Sequence, residues 1–222
     1  MNCTSIDVGI RNMGLARLTY NHSLKGMTDL PCYIEELALI DFGKGYGVQK
    51  YVEKMVEYFL DNERWYNVEY VIIESQEVAQ PLIRRLFSAV QAHFETLQTL
   101  YSFKVILSPA NCKFKVYTGP TIKTTSSTIY HKRKELIVAQ LNAILLSRLP
   151  LTDNEKNYIG WWLSLKKKDD VADAVMQGAY WINKLNEEED PLMNETWKHV
   201  ITIVKLQEPM GDDQGVLSFL PE

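Results

Sequence analysis

Apolar positions in the first half of the chain come in short alternating or continuous runs. Thr4 to Asp7 and Gly14 to Tyr20 read as two strands about the turn Gly9-Ile10-Arg11-Asn12-Met13-Gly14. Leu37 to Phe42 is a third short run, closed by Gly43-Lys44-Gly45-Tyr46-Gly47. Val52, Met55, Val56, Phe59 and Leu60 recur at helical spacing, so Val52 to Leu60 predicts a helix. Val68 to Ile73 is β-branched and aromatic, enough for one buried strand. Pro81 to Leu100 reads as a long helix, its proline tolerated in the first turn. Lys104 to Leu107 predicts another strand, stopped near Pro109. The polar stretch Tyr117 to Tyr130, rich in Thr, Ser and Gly, predicts a mobile loop. His131 to Arg148 is helical through Leu136, Ile137, Leu141, Ile144 and Leu145. Pro150 to Leu165 has no clear period, with Trp161 and Trp162 as its anchors. Asp170 to Leu185 predicts a final long helix, and Val200 to Val204 a short strand in the tail.

Three strands precede a helix, a strand, a helix, a strand and further helices. That order predicts an α/β fold with a mixed sheet, an antiparallel meander followed by parallel crossovers. The length of 222 residues suits one domain with an appendage. With 12 Tyr, 7 Phe and 5 Trp the chain has ample material for a core, which argues against wholesale disorder. No apolar run reaches the ~18 residues of a membrane span, and no signal segment opens the chain, so no membrane association is expected. Cys3, Cys32 and Cys112 are odd in number and scattered, which excludes a disulfide scaffold or a CxxC zinc site and favours a reducing compartment.

The net charge of −4 does not announce a nucleic-acid binder, but it hides a division. From Leu185 onward nine acids face two bases, a net of −7, leaving residues 1–184 at +3. Within that body, bases cluster at Arg84 and Arg85, at Lys123, Lys132, Arg133 and Lys134, and at Lys166, Lys167 and Lys168. Taken alone, each cluster reads first as a solvated helix face.

Four acids stand out by position. Asp7 and Glu74 end apolar runs, and Asp170 and Asp173 share one face of the last helix, three residues apart. Asp169 points elsewhere if the helix has already begun there. Singly, these are turn, strand-end and helix-capping residues. Gathered together, they would need a compensating cation, and oxygen ligands of this kind suit Mg²⁺. Spacing alone does not bring them together.

Three segments carry a resemblance. Ile6-Asp7-Val8-Gly9-Ile10-Arg11-Asn12-Met13-Gly14, Val71-Ile72-Ile73-Glu74-Ser75-Gln76 and Lys168-Asp169-Asp170-Val171-Ala172-Asp173-Ala174 follow in order with suitable spacing. The series resembles the motifs of Holliday junction resolvases with a ribonuclease H-like fold, closest to the fungal mitochondrial and poxvirus-type members and more distantly to bacterial RuvC. The resemblance covers residues 1–185 as a resolvase domain and leaves 186–222 as an acidic appendage. It implies a ribonuclease H-like mixed five-stranded sheet flanked by helices. It also implies a four-acid site of Asp7, Glu74, Asp170 and Asp173 binding two Mg²⁺ ions, with Mn²⁺ as a substitute and Asp169 as a reserve ligand. Two such ions activate the attacking water and stabilise the leaving oxygen of a phosphodiester.

The resemblance further implies a lysine near the scissile phosphate. Lys134 is the catalytic candidate. Lys113, in Pro109-Ala110-Asn111-Cys112-Lys113, resembles a second such lysine or a plain phosphate anchor. Lys113, Lys123, Lys132, Arg133 and Lys168 form the expected DNA-binding set. Tyr117 or Tyr130 in the polar loop would reach the junction centre and stack on a base, if that loop is more than surface.

The expected partner is a four-way junction or other branched DNA, cut by paired nicks that leave 5′-phosphate and 3′-hydroxyl ends. Symmetric nicks imply a homodimer. Its candidate interface is the stripe Leu82, Leu86, Val90, Phe94 and Leu97, which ordinary packing on the sheet would equally explain. The acidic tail is open to reading as a solubilising appendage, a site for a protein partner or a DNA-mimicking brake. Two readings compete: a ribonuclease H-like nuclease for flaps, other branches or RNA–DNA hybrids, and a non-catalytic junction-binding or actin-like nucleotide-binding protein. Host cytoplasm or nucleus is expected for a viral source, and a mitochondrion is disfavoured because no Arg-rich transit segment opens the chain.

Overall fold

The computed structural model describes residues 1–9, 12–25, 29–76, 81–148 and 151–189. Five strands, β1 (Asn2–Asp7), β2 (Asn12–Tyr20), β3 (Cys32–Asp41), β4 (Tyr70–Glu74) and β5 (Lys104–Ser108), form one sheet in the order β3-β2-β1-β4-β5. β1, β2 and β3 pair antiparallel, and β1, β4 and β5 pair parallel. This is the predicted mixed sheet, a meander extended by crossovers. The helices are α1 (Val48–Leu60), α2 (Pro81–Leu97), α3 (Ile129–Ser147), α4 (Asp153–Ser164) and α5 (Asp169–Glu189). The predicted tail strand Val200 to Val204 lies outside the described residues.

Alternation along the strands divides the core in two, because neighbouring side chains point to opposite faces. Ile6, Val8, Met13, Leu15, Val71 and Ile73 meet α1 and α2 on one face. Cys3, Ala16, Leu18, Ile34 and Ile72 meet α3, α4 and α5 on the other. The α2 stripe is consumed here. Leu86, Val90, Phe94 and Leu97 are buried against the sheet, so they offer no free surface for a second copy, and only Leu82 is half-buried.

The region read as patternless is helical. Thr152 caps α4 by accepting from the Glu155 amide at 3.2 Å, and Glu155 closes a capping box by accepting from the Thr152 amide at 3.1 Å. The other Glu155 carboxylate oxygen accepts from the Ile34 amide at 3.1 Å and pairs with Arg148, which fixes the α3–α4 corner on β3. β3 also starts earlier than the predicted run. Glu35 and Glu36 sit within it, answered by Arg17 at 3.2 Å and Arg64 at 2.8 Å.

The stretch predicted to be mobile is tethered at both ends. Asp29 accepts from the Thr118 amide and hydroxyl at 2.9 and 2.7 Å. Glu135 accepts from the amides and hydroxyls of Thr125 and Ser126, which holds its carboxyl down at about 2. Tyr130 is not in that loop at all but in the first turn of α3.

By its contacts the chain divides into two compact units, Met1–Lys184 and Leu185–Glu222. The sheet and its core belong to the first, and residues 185–189 are the described part of the second. Among the described residues no helix is long and apolar enough to cross a membrane.

Candidate active site

Period-two geometry aims the first two acids. Ser5 and Asp7 of β1, and Ile72 and Glu74 of β4, project to the α5 side of the sheet. β1 and β4 are parallel neighbours, so Asp7 and Glu74 stand one rung beyond the last paired residues, Ile6 and Ile73. α5 supplies the other two from its first turns. Asp170, Asp173 and Gln177 fall at i, i+3 and i+7, on the helix face that meets the sheet. The Gln177 amide fixes the seating by donating to Ser5 Oγ at 3.1 Å and to the Ile6 and Ile72 carbonyls at 3.4 and 3.5 Å.

The four predicted acids therefore converge. Each is between 5% and 8% exposed, and all four line one cleft of about 400 Å³. Lys113, Lys134, Lys167, Arg133, Tyr130, Asn12 and Gln76 complete much of its wall. Lys113 lies deeper than a phosphate anchor would. It is 7% exposed, and its Nζ sits 2.8 Å from Glu74 Oε2 and 3.0 Å from Asp173 Oδ1. The short 3₁₀ turn Cys112–Lys115 after β5 aims it there.

The electrostatics follow from crowding. Burial pushes the Asp7 carboxyl well above its ordinary range, Glu74 and Asp173 push it further, and Lys113 only partly offsets them. Asp173 is raised to about 6, chiefly by burial, with Lys113 opposing and Glu74 adding. Burial alone would discharge Lys113, but Asp173, Asp7 and Glu74 outweigh it and hold the ammonium well above its usual range. Lys113 sits between Glu74 and Asp173, Lys134 and Lys167 meet Asp170 from the rim, and Arg133 lines the wall, so four bases face the four acids of the cleft.

The fit test for a divalent cation is therefore the kind of donor rather than a deficit of positive charge. The donors are all carboxylate oxygens, the kind a hard ion takes. Among the described residues, however, no three His, Cys, Asp or Glu side chains form a ready-made cage. Lys113 engages one oxygen of Glu74 and one of Asp173. The residues fit by kind, with Lys113 holding one oxygen from each of two of the donors.

The remaining expectations divide. Lys134 reaches the rim of the acid cluster, pairing with Asp169 and lying 3.5 Å from Asp170. The reserve ligand Asp169 is thus engaged by Lys134 rather than lining the cleft. Arg133 lines the cleft, whereas Lys123 and Lys132 are exposed outside it. Lys168 is half-buried and also outside it, its carbonyl accepting from the Trp162 indole at 3.1 Å. Its neighbour Lys167 lines the cleft and pairs with Asp170. The sequence reading missed Lys167 for this role. Spacing offered the signal, because Lys167 and Asp170 are three apart at a helix start. Gln177 was also missed, although it continues the Asp170–Asp173 face.

No family model matches the chain, and no curated protein matches it. Solved structures do. The fowlpox virus resolvase in complex with Holliday junction DNA is 20% identical at a TM-score of 0.53, over 83% of this chain and 99% of that one. RuvC of Thermus thermophilus with a Holliday junction substrate is 13% identical at 0.53, over 81% and 92%. The yeast mitochondrial Holliday junction resolvase Ydc2 is 14% identical at 0.55, over 81% and 78%. The sheet order, the helices on both its faces and these likenesses agree: the chain has the ribonuclease H-like fold of the Holliday junction resolvases.

Proposed function

We propose that this chain is a metal-dependent, structure-selective endonuclease that resolves four-way DNA junctions by paired nicks, leaving 5′-phosphate and 3′-hydroxyl ends. One observation carries the reading. Asp7, Glu74, Asp170 and Asp173, from three separate segments, meet at the strand ends of a resolvase-type fold with Lys113 among them. Asp7, Glu74, Asp170 and Asp173 would hold two Mg²⁺ ions, with Mn²⁺ able to replace them. Bound there, the ions would supply an activated water and stabilise the leaving oxygen.

The chain's own residues do the rest. Lys113 and Lys134 place positive charge where the phosphate oxygens gain negative charge in the transition state. Arg133 and Lys167 at the cleft, and Lys123, Lys132 and Lys168 beyond it, offer backbone contacts that select shape rather than sequence. Two symmetric nicks require two such clefts, hence a twofold dimer. The acidic tail remains available to a protein partner. Genome processing in a large DNA virus, or recombination more broadly, is the setting this activity suits.

The test is cleavage of a labelled four-way junction against linear duplex of the same sequence, with Mg²⁺ and with EDTA. Paired, ligatable nicks that need metal and are absent from duplex are expected. Preference for flaps or an RNA–DNA hybrid would move the activity to another branched or hybrid substrate. Tight binding without cutting would make it a junction-binding protein.

A further inference from the structure

The polar stretch before α3 already holds an anion. The successive amides of Thr125 and Ser126 both point at the Glu135 carboxylate, and both hydroxyls join them. Thr125 donates to Oε1 from its amide at 3.0 Å and its hydroxyl at 3.1 Å. Ser126 donates to Oε2 from its amide at 3.1 Å and its hydroxyl at 2.7 Å, and the Thr125 amide lies 3.2 Å from the same oxygen. Consecutive backbone amides turned to one point form a concave anion receptor. Its strength shows in the carboxyl, which these donors hold down at about 2.

The surroundings offer more charge than one carboxylate uses. Lys132 lies one turn before Glu135 on α3, and Lys123 stands two residues before Thr125. Both lysines are exposed, and among the described residues neither makes an ion pair. Lys134, in the wall of the acid cleft, directly precedes Glu135. The receptor is therefore carried by the same helix as one wall of the cleft. A phosphodiester presents two non-bridging oxygens in a fork like that of a carboxylate, so it can take the same charge-assisted bonds. A phosphate on a strand already held in the cleft arrives at high effective concentration, which lets it compete with the tethered Glu135.

We propose that the Thr125–Ser126 cradle is a backbone-phosphate site, filled by Glu135 in the free protein and by a phosphate of branched DNA in the complex. The proposal rests on the junction-cleaving reading above and adds a contact outside the acid cleft. It gives the exposed Lys123 and Lys132 a role beside that phosphate. It also makes the latch selective, because only DNA that reaches both the cleft and the cradle displaces Glu135.

The experiment uses the full chain and a synthetic four-way junction in which one neutral methylphosphonate link is walked through the phosphates flanking the branch. Binding is read by fluorescence anisotropy in Ca²⁺. At one position the neutral link should weaken binding by the parent about 2- to 12-fold, the span of one net hydrogen bond. Ser126→Ala should bring the ratio at that position towards one and leave the ratios elsewhere as they were. Glu135→Gln should tighten binding of the all-phosphate junction, and this gain should vanish when the neutral link occupies that position. Both changes lie outside the core clusters, so melting should stay near the parent's. A walk with no position that depends on Ser126, or a Glu135→Gln gain that persists on the neutral link, overturns the cradle while junction cutting stands. A parent that neither binds nor cuts branched DNA overturns both.

Discussion

Gly14 lies directly beneath Asp170. A Cβ built on Gly14 would stand 2.0 Å from the Asp170 carbonyl oxygen, and Gly14 is also the antiparallel partner of Asp7. One missing side chain thus lets the first turn of α5 rest on β2 beside the acid of β1. Gly14→Ala should lift that turn. We expect destabilisation of about 1–3 kcal/mol, the usual scale of overpacking, and a larger loss of nicking than of junction binding. Denaturant melts beside the cleavage assay measure both. Parental nicking in Gly14→Ala would mean that the contact does not set the acid geometry.

Asp7 carries the heaviest crowding of like charge, so its removal separates chemistry from folding. Asp7→Asn should abolish nicking, keep junction binding and leave the metal-free melting temperature unchanged or higher, since one of four mutually repelling carboxylates is gone. An Asp7→Asn protein that still nicks would remove the central claim.

Lys113 acts as the internal counter-charge. Lys113→Met keeps the stem's bulk but strands Glu74 and Asp173, and breaking a buried pair costs about 3–5 kcal/mol. The variant should melt earlier in EDTA and recover more than the parent does when Mg²⁺ is added. Nicking should fall by the order of 10²–10³ expected for one lost stabiliser of transition-state charge. Calorimetry with and without Mg²⁺ reads the first effect apart from the second.

Gln177 secures the backbone one residue before Asp7. Gln177→Leu removes the donors to Ser5, Ile6 and Ile72 while filling the space. Each lost bond is worth about 0.5–1.5 kcal/mol, offset here because the Gln177 Oε1 is itself buried without a partner. Stability should change little, yet the Mg²⁺ concentration for half-maximal nicking should rise. An unchanged metal requirement would reduce Gln177 to packing.

Glu135 titrates as a latch. Its folded value of about 2 lies below the ordinary 4.5, so its contribution is present above the ordinary value and is lost as pH falls through about 2. The amide resonances of Thr125 and Ser126 should move in that acid window. At neutral pH, Glu135→Gln should speed tryptic cleavage at Lys123, because the carboxylate acceptor that ties down the stretch is weakened.

The strands, and the positions of the four acids, were legible because they follow local rules: period-two runs, strand ends and an i, i+3 pair; that the acids form one site came from the resemblance alone. α4 carried a legible signal too, the Thr152 and Glu155 of a capping box, masked by a weak apolar period. The rest depends on distant partners. Nothing near Lys113 says that it will sink between Glu74 and Asp173, which are 39 and 60 residues away. The tethering of the polar stretch depends on Asp29, 89 residues from Thr118. The early start of β3 is obscured by Glu35 and Glu36, whose charges are answered by Arg17 and Arg64.

The acids come from β1, β4 and α5, with α5 the last element described. A ribosome that has made only the first 150 residues has produced Asp7 and Glu74 but neither Asp170 nor Asp173. At that point the nascent chain holds only half of the acid cluster. The cluster is complete only once α5 is made and docks on the sheet, so the order of synthesis makes the acid site the last part of the fold to assemble.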